Sequence, residues 1–289
     1  MTATSTRRPT TGRGSRTRLR GWRAAPGYLA IAVLLAFFLL PVLYAVLTAF
    51  QPRIVSNQRT PQFLFTPTLD AFRSLFQEYS FIGPLLNSVQ SSVGSAVIAL
   101  VIATPAAYAL SRSRSTSAGL MGFWLLCARA LPAIGLSIPA YAIFNQVGLT
   151  DTITALLVAY LPYNVALATI LLKVFLDGVP HEIDEAAAID GAGPMRTLWS
   201  VVLPVARPGL ASVAIMTFLF SWNNFLFPLV LTGSRAGTIP LALQQFLGSY
   251  TLQWNEVMAG VVLLSLPLIL LAITFGKYMI GGLSAGSVK

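Results

Sequence analysis

Four carboxylates, Glu182, Asp184, Glu185 and Asp190, crowd into HEIDEAAAIDGAG, residues 181–193, of an otherwise strongly apolar chain. A histidine beside carboxylates is raw material for a nucleophile–base pair or a metal site. His181, however, is the sole histidine, which excludes His-pair zinc sites and argues against a serine–histidine–carboxylate triad. Cys127 is the sole cysteine, so no intramolecular disulfide can form. No GxxxxGKS or GxxxxGKT phosphate loop occurs, and the chain is not expected to hydrolyse ATP. Enzyme chemistry fits poorly, and no cofactor or metal is expected on this chain.

The same residues make a better docking knob. Pro180 suits a first helical turn, where its missing N–H would be unpaired anyway. Glu182, Asp184 and Glu185 then lie near the positive end of the helix dipole. Ala186, Ala187 and Ala188 are strong helix formers of little bulk, and Gly191 stops the helix. A second amphipathic stretch, 194–202, is expected to end at Pro204. The product is a helix–turn–helix over residues 177–206, whose alanine face suits a groove on another protein. A solvated connecting loop is the plain alternative, since charge runs usually mark wet faces.

The surroundings decide what such a knob is attached to. Of 289 residues, 55% are hydrophobic and only 10% charged, against roughly 25% charged in a soluble domain. Long apolar runs without period-two alternation predict an all-α polytopic membrane protein, because helices satisfy their own backbone in lipid. Six spans are expected, at 27–50, 87–110, 119–144, 152–175, 208–232 and 257–280. The first run is too long for a signal-peptide core and reads as a retained anchor.

Seven arginines precede the first span. With that end cytoplasmic, fourteen of the nineteen Lys and Arg residues fall inside, and both termini and the acidic island face the cytoplasm. The net charge of +10 then reports topology and contact with anionic lipid headgroups rather than nucleic acid. Residues 1–24 read as a basic, disordered cytoplasmic tail and 25–289 as the transmembrane domain.

Glu185-Ala186-Ala187, Gly191 beyond a three-residue gap, and Val201-Val202-Leu203-Pro204 after nine more resemble the EAA loop of bacterial ABC-importer permeases. The family pattern has isoleucine where Val201 stands, a mild change. The resemblance covers nearly all of the chain after the tail. Asn87-Ser88 looks like the start of the permease core and Ala106–Arg112 like the close of its first helix. Ser221-Trp222-Asn223-Asn224-Phe225 is similar to the W-N-E-F stretch of the carbohydrate branch, with Asn224 in the glutamate's place. The last residues look like the tail of the maltose-type second permease.

This resemblance implies a permease subunit that moves a sugar by alternating access in the cytoplasmic membrane. Its expected partners are a second permease subunit, two ATPase subunits carrying ATP and Mg, and an extracytoplasmic solute-binding protein. Glu185, Ala186, Ala187, Gly191, Leu203 and Pro204 would couple it to the ATPase. Charges inside spans are costly and face the bundle interior or water. Arg129, Asn164, Asn223 and Asn224 are accordingly candidates for the substrate path, each with helix–helix bonding as its alternative. Two rivals remain: an ion-coupled secondary transporter, which would want intramembrane carboxylates, and a scaffold whose loop docks a partner without transport.

Overall fold

The computed structural model describes residues 21–58, 60–247 and 253–285, so most of the expected basic tail lies outside it. Every regular element among the described residues is helical. The chain divides after Tyr44 into two compact units. In the first, α1 (Gly21–Ala49) is a single apolar helix up to the division, and its Pro26–Ala49 portion is long enough to span a membrane.

The second unit holds the rest. Short helices α2 (Arg53–Ser56) and α3 (Asp70–Gln77) precede α4 (Ile82–Arg112), which is about 45 Å long. Next come α5 (Thr116–Ala130), α6 (Ala133–Gln146) and α7 (Ile153–Asp177). The acidic region forms α8 (Glu182–Ile189), α9 (Pro194–Thr197), a π-helical turn (Leu198–Val202) and α10 (Leu203–Val205). Finally α11 (Arg207–Trp222), α12 (Leu226–Leu231), α13 (Ile239–Leu247) and α14 (Trp254–Ala285) complete the chain.

Four of the six expected spans are continuous helices or lie within them; two are broken. The span expected at 119–144 bends by 86° between α5 and α6. Pro132 supplies no N–H to continue the helix, and it holds Leu131 extended at φ −61° and ψ 131°. The span expected at 208–232 stops at Trp222 and resumes at Leu226. Its first helix also meets Pro194–Val205 at 87°, so it rises from a sharp corner.

Small residues let the helices approach closely. α4 turns Ser88, Ser91, Ser92, Ser95, Ala99 and Ala103 inward, a buried stripe at three- and four-residue spacing, mainly against α7. Gly209 shows how tight the packing is: a Cβ there would lie 2.4 Å from Cγ and 2.8 Å from Cβ of Phe175. Where three helices cross, Asn164 donates to Ser221 at 2.8 Å and Ser95 at 3.3 Å, and the two serine hydroxyls lie 2.9 Å apart. All three side chains are buried.

One end of the unit is fastened by polar side chains that are far apart in sequence. Glu256, buried in the first turn of α14, pairs with Arg53 of α2. Asn87 donates to the carbonyls of Arg235 at 2.8 Å and Gly237 at 2.9 Å, and Ser88 accepts the Ile239 N–H at 2.9 Å. Asp151 accepts from the N–H groups of Gly233 (2.8 Å), Ala236 (2.9 Å) and Arg235 (3.2 Å). Its own N–H donates to Leu231 at 2.9 Å from the left-handed conformation, φ 58°, which Asp tolerates.

Burial pushes the Asp151 carboxyl upward. The three backbone donors and the Arg235 charge outweigh it, and the pKa falls below 3.8. A depressed carboxylate pKa stabilises the fold fully above its unfolded value and ceases to do so as pH falls through the folded value. Protection of the Gly233, Arg235 and Ala236 amides is therefore expected to hold in full above pH 3.8 and to be lost as pH falls through the lower folded value. Asp151→Ala should remove it at neutral pH, at a cost of about 1–3 kcal/mol, read by hydrogen exchange.

Candidate functional site

The acidic region folds as a knob at the opposite end of α4 from Asn87. Its first helix, α8, carries Glu182, Asp184 and Glu185 in its first turn, where the unpaired N–H groups and the helix dipole favour anions. Gly191 adopts φ +78°, the left-handed conformation that closes a helix C-terminus. Its N–H donates to Ala188 at 3.0 Å, and that of Ala192 to Ala187 at 2.9 Å. The next stretch does not end at Pro204 as expected. Pro204 has no N–H for the Ser200 carbonyl, and the backbone widens into the π turn just before it, then continues to Val205.

Two kinds of contact hold the knob to the spans. The first is polar. Tyr108 donates its hydroxyl to Asp184 Oδ1, and Arg112, one helical turn on, places Nη2 2.8 Å from Asp184 Oδ2 as an ion pair. Arg112 Nη1 also donates to the Leu176 carbonyl at 3.0 Å, so one guanidinium ties α4 to the last turn of α7 and to α8. The second is apolar. Val179, Val202 and Ala206 share a buried cluster with Ala103 and Ala107 of α4, Leu172 and Leu176 of α7, and Val213 of α11. A displacement of the knob must therefore move the ends of three spanning helices.

The outward face is different. Glu185 and Ala186 are exposed, whereas Ala187 is buried on the inner side. Ile189 is 87% exposed, Met195 59% and Trp199 48%, an apolar surface beside the alanine face that the sequence reading assigns to docking. Leu203 and Pro204 are half-buried in the second helical stretch. His181 is exposed and lines a cavity of about 530 Å³ beside Tyr108, Arg112 and Asp184. Asp184, rather than Glu185, makes the inward bond, a role betrayed in sequence only by Tyr108 and Arg112 sharing one helix face.

The four substrate-path candidates each meet a group of the protein. Asn164 lies in the buried knot, where helix–helix bonding describes it. Asn223 donates to the Leu219 carbonyl at 2.9 Å, and Asn224 accepts the Phe227 N–H at 3.1 Å. Both amides thus satisfy backbone groups at the break between α11 and α12. Arg129 sits at the α5–α6 elbow with its guanidinium 4.3 Å above the Phe220 ring. Phe220 stacks on Tyr163 at 6.0 Å, and Tyr163 donates to the Leu131 carbonyl at 3.4 Å.

Residues 95–283 match the family described as the binding-protein-dependent transport system inner membrane component. A probable ABC transporter permease protein, y4oR, of Sinorhizobium fredii is 33% identical over 257 residues, covering 89% of this chain and 92% of that protein. The trehalose transport system permease protein SugB of Mycobacterium tuberculosis is 31% identical, with 89% and 94% covered. Among solved structures, a bacterial ABC transporter involved in import of the acidic polysaccharide alginate superposes with a TM-score of 0.73 at 22% identity. That likeness spans 94% of this chain and 99% of the other. The chain belongs to the binding-protein-dependent transport system inner membrane components.

Asp184→Ala should release the knob. With Tyr108 and Arg112 left without their acceptor, a loss of about 1–3 kcal/mol is expected. Amide exchange in α8 should then quicken by about tenfold, while Asp184→Asn, which keeps the Tyr108 acceptor, should change less. Unchanged α8 exchange in Asp184→Ala would refute the latch.

Proposed function

We propose that this permease subunit carries a sugar or a related polyhydroxylated solute inward across the cytoplasmic membrane, and that Glu185 and its neighbours seat on a separate ATPase. The observation that carries this reading is the knob's double character. Its inner side is latched to α4 and α7 through Asp184, while its outer side presents carboxylates, Ala186 and a bare apolar surface. An element fixed so firmly to the spans and so incompletely buried suits the transmission of force from a partner.

In this reading the complex contains a second permease subunit, two ATPase subunits and an extracytoplasmic solute-binding protein. ATP and Mg are held by the ATPases. Both termini and the knob face the cytoplasm, in keeping with the basic residues that flank those segments. Closure of the ATPases draws the knobs together. The shared apolar cluster passes that motion into α4, α7 and α11, and the solute path turns outward. Binding at one end and opening at the other are then reciprocally linked.

The sugar reading is supported by relatives named for sugars, among them SugB and the trehalose/maltose permease MalG of Thermococcus litoralis. Arg129 on its aromatic shelf is the path residue this structure favours, because its guanidinium has no carboxylate partner among the described residues. An ion-coupled carrier fits less well. Glu256, the buried carboxylate at the start of α14, is already committed to Arg53.

Glu185→Lys tests the coupling role. Charge reversal at the docked face should weaken ATPase retention about thirtyfold or more, so that the ATPase no longer co-purifies and uptake collapses. An intact complex with undiminished uptake would overturn the assignment. For the cargo, reconstituted complex should accumulate at least one of trehalose, maltose or an arabinooligosaccharide, and accumulation of an amino acid alone would overturn the sugar reading.

A further inference from the structure

At the end of α4 remote from the knob lies a cavity of about 880 Å³, built by the start of α4, the segment before it, the 232–237 loop and α13. We infer that it is a vestibule that holds a short saccharide on this subunit before the solute enters the path between the spans. The inference rests on the sugar-importer reading and adds a binding site to it.

The size suits a small-molecule site, but the walls say more. Tyr79 and Phe246 meet edge to face at 4.7 Å and are exposed at least in part, while the buried Phe81 backs Phe246 at 6.3 Å. Aromatic faces offer the apolar contact that the C–H side of a sugar ring takes. Gln244 and Arg235 are exposed on the wall, bringing an amide and a fork of donors suited to vicinal hydroxyls. Ser234 and Thr232 add hydroxyls. Among the described residues no carboxylate lines the cavity, so an ammonium group would find no counter-charge from them, which disfavours amino acids and polyamines.

The walls are also held in place. Asn87 bonds two carbonyls of the 232–237 loop and Asp151 gathers three of its N–H groups, so the loop is fixed from α4 and from the segment before α7. Ser80, on the opposite wall, keeps φ at 49°, a conformation a non-glycine residue adopts only when its surroundings impose it. A loop backbone held in this way keeps the shape of its wall before any solute arrives, so less ordering is left for binding to supply. The site lies about 30 Å along α4 from Tyr108 and the knob, so cargo and motor contacts stand at opposite ends of one helix.

The test uses the complete reconstituted transporter with its binding protein, and radiolabelled trehalose, maltose or arabinooligosaccharide, whichever the uptake panel finds to be carried. Gln244→Ala and Arg235→Ala should each raise the half-saturating concentration about tenfold while maximal rate and ATPase stoichiometry hold. In a Cys127→Ala background, saccharide should also slow labelling of Gln244→Cys by a membrane-impermeant maleimide. If uptake of a carried sugar ignores both substitutions and labelling is not slowed, the vestibule is overturned while the importer reading stands. Equal weakening of unloaded binding-protein capture would make this a docking surface and likewise overturn the saccharide site. A panel with no sugar carried removes both readings together.

Discussion

Inside hydrocarbon every backbone N–H and C=O must find a partner within the protein, and the rest of this structure follows from that demand. The continuous helices α4, α7 and α14 meet most of it themselves, although Pro105, Pro162 and Pro267 each withhold one N–H. The breaks need help. At the α11–α12 interruption the help comes from Asn223 and Asn224, each spending its amide on a helix end. At the α5–α6 elbow the Leu131 carbonyl is met by the Tyr163 hydroxyl. Polar residues at these interruptions thus serve the backbone, whereas Ser95, Asn164 and Ser221 bond one another.

Lipid gives apolar side chains little reason to leave it for one another, so helices cohere by close approach. The serine and alanine stripe of α4 and the bare Cα of Gly209 against Phe175 serve that end. Close packing transmits displacement, because tightly packed surfaces have no slack to absorb it. The knob exploits this at one end through the Val179, Val202 and Ala206 cluster, and the Asn87 and Asp151 fastenings stiffen the other. α4 runs through both.

Much of this architecture was legible in the residues alone. Long apolar runs mark the spans, but Pro132, which breaks one, looks in sequence like Pro105, Pro162 and Pro267, which lie inside continuous helices. The knob is equally visible, because capping carboxylates, alanines and Gly191 act over one or two helical turns. The α11–α12 break is hidden, since apolar residues resume directly after Asn223 and Asn224 and an amide pair serves a helix end, a neighbouring helix or a ligand equally well. Pro204 misleads because a π turn absorbs its missing N–H. Long-range pairs leave little trace: Tyr108 and Asp184 are 76 positions apart, and Arg53 and Glu256 are 203. Only the fold brings such groups together.

The crossing of Ser95, Asn164 and Ser221 has one further property. Two of its members are rotors: a serine hydroxyl can swing its proton to whichever acceptor comes near, and the carbonyl oxygen of Asn164 has no donor in the present arrangement. A donor brought near by a small slide between these helices would meet an acceptor already free, whereas a core of leucine alone would leave any polar newcomer unpaired.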